Sequence, residues 1–372
     1  VKGNLMNFGK RNKYYFLTNF NSVGFDATRD IEHLIRPLRF DEPASIGDNH
    51  SVSNALALNV GNLSFKRSRT NFNNAELVSL NAIFNPTDKL KIKTLGFFNW
   101  DKTDFFRNSI DVVDVNGTNF TNTEDYQLRN NKRIAFGKLD VTYNISKTKM
   151  LEATTKYNNG DFNDNSNLVF NGNSTVENLQ HQNTLFDQKV SYTNKFRKKK
   201  VFLLTGRFID EQTPQNYAIN QFFYQDLFPE NNDANNVNQK STNQMQFAGF
   251  NAHLLDRKKN GHLLELQLGN EFRKDRLQST FSLLENDTVL ERPNGYQNQT
   301  VYQVNDLYIK GKYRLKVKDF GIVGKLDAHQ LFNRLENNNV SSTQNPFFIN
   351  PSLGFDWKIN DKNKITSSYA YN

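Results

Sequence analysis

The chain has no cysteine, which excludes a disulfide framework, a thiolate nucleophile and a thiolate metal site. It also lacks long hydrophobic runs. Mean hydropathy is −0.72, and no stretch approaches the roughly 18 apolar residues that a membrane-spanning helix needs, so a helical membrane protein is excluded. Low hydropathy by itself would fit disorder. The chain nevertheless carries 32 Phe and 14 Tyr, far too many for an unfolded polar polymer, so these rings must pack against something.

What is present is an alternation with period two, the mark of a strand with one apolar and one wet face. Leu139, Val141, Tyr143 and Ile145 alternate with Lys138, Asp140, Thr142 and Asn144. Leu264, Leu266, Leu268 and Phe272 do the same against Glu265, Gln267, Gly269, Glu271 and Arg273. The pattern returns at Leu307 to Leu315 and at Leu353 to Ile359, with weaker copies from Leu90 to Phe98 and from Phe202 to Phe208.

Short polar turns separate these strands, beginning at Gly9, Asn85, Ser146, Arg197, Arg257, Lys316 and Asn360. They predict about seven hairpins and so roughly fourteen strands. Between them lie stretches rich in Asn, Asp, Thr and Ser, at Asn108 to Asn130, Asn158 to Asn183 and Asp210 to Asn243. These cannot bury a core and read as long loops. The fold class expected is therefore all-β: an antiparallel transmembrane β-barrel of consecutive hairpins, short periplasmic turns and long extracellular loops, with no domain seam in residues 1–372. In such a barrel half of each strand can be polar, because lipid is met by one face only.

The net charge of +9 does not single out nucleic acid. Its basic residues are spread over the short turns (Lys10, Arg11, Lys13, Lys147, Lys149, Arg197 to Lys200, Arg257 to Lys259, Lys316 and Lys318) rather than gathered in one groove. Aromatics beside those turns, at Tyr14, Tyr15, Phe84, Phe196, Phe202, Tyr313, Phe320 and Trp357, fit an interfacial girdle or ordinary sheet packing.

Chemistry-bearing patterns are sparse. The histidines, His33, His50, His181, His253, His262 and His329, lack zinc spacing. Asp161 and Asp164 sit in an oxygen-rich NNGDFNDNSN run that lacks the glycine and closing glutamate of an EF-hand, and a solvated loop is the preferred reading. Phosphate-cradling, GxSxG and dinucleotide motifs are missing, so neither catalysis nor a cofactor is expected. The lumen-facing candidates are Lys138, Asp140, Glu265, Gln267, Glu271, Arg273, Lys310, Lys312, Lys325 and Asp327, with barrel stabilisation favoured over ligand recognition as their role. For ligand contact the candidates are Phe222, Phe223, Tyr224 and Phe228 in NQFFYQDLFPENND, which could equally pack against adjacent loops.

Three segments, FLTNFNSVGFDATRDIEHLIRPLRFDEPASIGD, FNNAELVSLNAIFNPTDKLKIKTLGFFNWDKTDFF and INPSLGFDWKINDKNKITSSYAYN, resemble the barrel of TonB-dependent receptors in their strand, turn and aromatic placement. The resemblance implies an outer-membrane location, a twenty-two-stranded barrel, an N-terminal plug and coupling to a TonB-type energy system. Neither plug nor coupling segment is recognisable here, so the sequence reads as an internal portion of a longer precursor. The function expected on these grounds is uptake of an unidentified ligand across the outer membrane, with outer-membrane lipid, plug and coupling system as partners. The alternative is an adhesin or structural or assembly barrel without active transport. A barrel enzyme ranks third, for want of a convergent Ser, His or acidic cluster.

Overall fold

A computed structural model describes residues 1–24, 46–48, 50–52, 55–56, 58, 71–196, 199–223, 225–231, 233–258, 260–359 and 363–371. They form one antiparallel sheet of sixteen strands. In chain order these are β1 (Lys2–Phe8), β2 (Asn12–Asn21), β3 (Asn71–Thr87), β4 (Leu90–Val115), β5 (Thr118–Asn144), β6 (Lys149–Phe170), β7 (Asn173–Phe196) and β8 (Lys200–Ile219). They continue as β9 (Asn236–Arg257), β10 (Leu263–Glu285), β11 (Thr288–Glu291), β12 (Asn298–Val317), β13 (Phe320–Asn337), β14 (Val340–Gln344), β15 (Phe347–Lys358) and β16 (Lys364–Ala370). Fourteen of them follow one another as an unbroken meander, while the short β11 and β14 add on to β10 and β13. The described ladder does not join β1 to β16. No helix among the described residues is long and apolar enough to cross a membrane.

All seven short reversals fall where the turn residues place them, for example between Phe8 and Asn12, Asn144 and Lys149, and Val317 and Phe320. Arg197, Lys198, Lys259 and 360–362 within them lie outside the described residues.

The expected long loops are different. Asn108 to Asn130 and Asn158 to Asn183 are not loops but the far halves of β4 to β7, strands of 22 to 27 residues. The third shrinks to 220–235 between β8 and β9. A polar strand needs no buried face if both its edges are paired and its side chains bond laterally. Here Asn178 donates to Asn163 at 2.9 Å, Ser174 to Asn167 at 3.0 Å and Arg129 to Asp104 at 2.7 Å. The hairpin tips are Asn116-Gly117 and Asn171-Gly172, all four residues at positive φ. Both are the Asn-Gly pairs that type I′ turns require.

Register assigns every strand residue to one of two faces. Nearly all buried strand residues share one face, called inner here, from Leu17, Leu77, Asn99 and Asp101 to Asp187, Phe247 and Tyr308. The other face carries an exposed apolar band. On β5 it runs Tyr143, Val141, Leu139, Gly137, Ala135, on β9 Leu254, Ala252, Phe250, Ala248, and on β13 Phe320, Ile322, Gly324, Leu326, Ala328. The polar pair Thr155 and Gln188 sits opposite within it, and the threonine hydroxyl donates to the glutamine at 2.6 Å. Of the eight expected girdle aromatics, seven lie on this face. Tyr15 lies on the other, against Leu17, Ala75 and Leu77.

The upper edge of the band is oblique to the strands. Its first polar residue is Arg133 on β5 and Gln330 on β13, whereas the transverse row through Arg133 meets the chain just past the end of β13, at Asn338, eight residues further out. Over seven strand steps this is a slope of roughly 40° at ~3.3 Å per residue and ~4.8 Å per strand. That is the tilt at which a sheet closes into a barrel.

Candidate functional site

The ten polar positions expected inside a barrel all lie on the inner face. The structure disperses them into small pairs. Lys138 meets Asp140 at 3.1 Å and Lys312 meets Glu265 at 2.9 Å. Gln267 contacts His253 at 3.5 Å, and Lys310 stands over the Tyr308 ring at 4.6 Å. Lys325 and Asp327 are the register partners of Lys312 and Lys310. Glu265 and Glu271 are six residues apart on one strand, about 20 Å, too far to act as an acid and base pair.

A larger construction was not legible from sequence. Residues 46–48, 50–52 and 55–56, from the connection between β2 and β3, lie against the inner face of β8 to β10. Arg207 on β8 donates to the Ile46 carbonyl at 2.8 Å and to Asp48, while its other nitrogens hold Asp187 at 2.9 and 3.0 Å. Val52 N–H donates to Glu211 at 3.0 Å. Gln215 binds three backbone groups, accepting from Ala55 and Leu56 N–H and donating to the Leu56 carbonyl at 2.9 Å. On β10, Arg273 Nη1 meets His50 Nδ1 at 2.7 Å while its other nitrogens hold Asp275. Ile46 and Val52 pack on Ile209, Met245 and Phe247. Gly47 sits at φ +75 with a would-be Cβ only 2.8 Å from the Phe247 ring, so the close approach depends on glycine.

Beyond the apolar band, Pro214 interrupts the pairing of β7 with β8. The ladder runs to His181↔Gln215 and resumes at Thr184↔Gln212, because proline has no N–H to offer. A cavity of about 450 Å³ opens there, lined by residues of both faces, among them Phe162, His181 and Gln215 of the inner and Asp161, Gln180 and Asn216 of the outer. The Phe162 and His181 rings stack at 4.4 Å. Burial pushes the Asp164 carboxyl up to about 6 and lowers the His181 imidazole, 4.0 Å away. Asp161 and Asp164 project to opposite faces of β6, so the oxygen-rich run is a strand rather than a chelating loop. Among the described residues no three His or acidic side chains converge as metal ligands.

The aromatic loop divides. Phe228 is 8% exposed in a cluster with Ala234, Val237 and Leu283, and Phe222 packs against it. Tyr296 joins from the neighbouring turn at 4.9 Å. Phe223 is 61% exposed, and Tyr224 lies outside the described residues, as does His33.

These features define a class: an all-β meander with one apolar and one polar face and a folded-in segment on the polar side. No family model matches the chain, and no curated protein matches it. Among solved structures, the ferric-catecholate import receptor Fiu of E. coli K12 in its closed form aligns over 94% of this chain and 66% of its own, with 8% identity and a TM-score of 0.26. The chain thus spans about two thirds of that receptor's length.

Two outcomes are expected. Gln215→Ala removes three hydrogen bonds at about 1 kcal/mol each. Amide exchange at Val52, Ala55 and Leu56 should then rise at least tenfold while β8 and β9 stay protected. Unchanged exchange there would contradict the docking. For Asp164, the folded state holds its proton to about pH 6 and the unfolded chain only to about 4. Stability should therefore fall as pH rises through that window, by roughly 2–3 kcal/mol, and be flat above it. Denaturation of Asp164→Asn should lack that slope.

Proposed function

We propose that the chain is part of an outer-membrane β-barrel that serves as a receptor and uptake path of the TonB-dependent type. One observation carries the membrane reading: the exposed apolar band. It is four or five outward positions deep on most strands, about 30 Å along the strand, and at a 40° tilt it stands about 25 Å tall, the height of a bilayer's hydrocarbon core. A soluble sheet would not leave Leu268, Ile309, Leu326 and Phe250 half exposed in one continuous belt. Short basic turns lie on one side of it and long polar hairpins on the other, the asymmetry of an outer-membrane barrel.

The folded-in residues 46–48, 50–52 and 55–56 favour gated uptake over an open pore, because they occupy the polar face that a free solute would follow. Display is the second reading, favoured by the reach of β4 to β7. Of the 27 residues of β5, about 10 suffice to cross the band, so its far half stands clear of the membrane.

Leu266, 42% exposed on the apolar face, and Gln267 on the inner face test the membrane reading. Leu266→Arg should cost roughly 2–4 kcal/mol of insertion and Gln267→Arg little, measured as folding yield in lipid vesicles. Equal yields would overturn the assignment of faces. Transport and display separate in cells carrying the full-length protein. Uptake predicts that deleting it and deleting TonB impair growth on the same scarce nutrient. Display predicts normal growth on every nutrient and a loss of surface attachment.

A further inference from the structure

Above the apolar band, the outward face of β4 to β9 carries two adjacent transverse rows that neither the uptake path nor the interior uses. One row runs Trp100, Arg133, Asp161, Gln182, Pro214, Thr242, and the next runs Lys102, Asn131, Asn163, Gln180, Asn216, Lys240. At their β4 and β5 end the rows rest directly on the band, whose last apolar residues there are Phe98 and Ala135. There the Arg133 guanidinium lies 5.1 Å and the Lys102 ammonium 5.4 Å from the centre of the Trp100 ring. Both cations are exposed. The nearby Asp104 is held by Arg129 at 2.7 Å, which leaves Asp161 beside Arg133 as the carboxylate of the patch.

Because the strands tilt, the rows climb away from the band toward β9, roughly 3 Å for each strand crossed. They lead through the amides that rim the cavity at Pro214 and end at Lys240, a further lining residue. From the band outward, then, the order is apolar surface, an aromatic ring bearing two cations, and a cavity edged with amides, a hydroxyl and a carboxylate.

We propose that this outward patch seats the headgroup of a phosphorylated glycolipid of the outer leaflet. The acyl chains lie along the apolar band, a phosphate meets Lys102 and Arg133, and sugar hydroxyls meet Asp161, Asn163, Gln180 and Asn216 in and beside the cavity. Trp100 belongs at that depth, since indole rings favour the headgroup level of a bilayer, and it holds both cations by its π face. Charge complementarity and continuity with the band select a lipid-borne phosphate over a soluble anion.

The inference rests on the membrane reading, so its test begins by confirming that the full-length protein inserts, by protease protection in vesicles. A chain that does not insert overturns that reading and this site with it. On inserted protein, native mass spectrometry then compares diphosphoryl lipid A, the same lipid dephosphorylated, and inorganic phosphate. Wild type should prefer diphosphoryl lipid A over its dephosphorylated form, and Lys102→Gln with Arg133→Gln should weaken that preference roughly tenfold to thirtyfold. Asn163→Ala with Asn216→Ala should weaken both lipids alike. Retention of the full preference in the doubly neutralised variant, or displacement of the lipid by millimolar inorganic phosphate, would overturn the proposal.

Discussion

Backbone pairing between consecutive strands is the interaction on which the rest of this chain depends. Each strand of the meander finds its partner in the next, so ladder hydrogen bonds are satisfied locally along the sequence and the side chains of the two faces are free to serve different solvents. That freedom accounts for a composition that looks too polar for a membrane and too aromatic for disorder. Half of each strand in the band is apolar and turned outward, and the other half is turned inward and largely polar, apart from small clusters around Leu77 and Phe247. In the far hairpins polar residues occupy both faces, with apolar ones such as Ile110, Val112 and Phe120 scattered and exposed among them, and paired backbone with lateral amide contacts suffices.

The inner face shows what that division permits. Charges there come in short neutralised sets, such as Arg207 with Asp187 and Asp48, or Lys312 with Glu265. A buried charge without a partner is costly, and sets of this kind hold the wall together as much as they present charge to a solute. The same guanidinium that neutralises Asp187 also captures the Ile46 carbonyl. Arg207 thus ties the wall to the folded-in segment, and a change there acts on both.

Proline and glycine act at single positions against this background. Pro214 removes one donor from a central ladder, and the sheet opens into a cavity where the pairing lapses. Gly47 lets a foreign backbone approach the Phe247 ring more closely than any side chain would allow. Both residues place chemistry where regular β structure would have left none.

Much of the architecture was legible in the residues. Alternation at Leu264 to Arg273 identified the two faces, and turn residues at seven places set the hairpins, because both signals are local and a strand's facing has period two. The far halves of β4 to β7 read as loops in the sequence but are strand in the structure. Their polar sequence carries no facing signal, although Asn116-Gly117 and Asn171-Gly172 marked the tips. Of the candidate contacts, only tertiary structure could separate the packed Phe228 from the exposed Phe223, since both sit in one apolar cluster of the sequence. By itself the sequence determined the short turns and, within the apolar band, strand and face. The seat of Ile46, His50, Val52, Ala55 and Leu56 on Arg207, Glu211, Gln215 and Arg273, the gap at Pro214 and the union of Trp100, Lys102 and Arg133 were decided by register and folding-in. They join residues from 2 to more than 200 positions apart, and no local pattern encodes such distances.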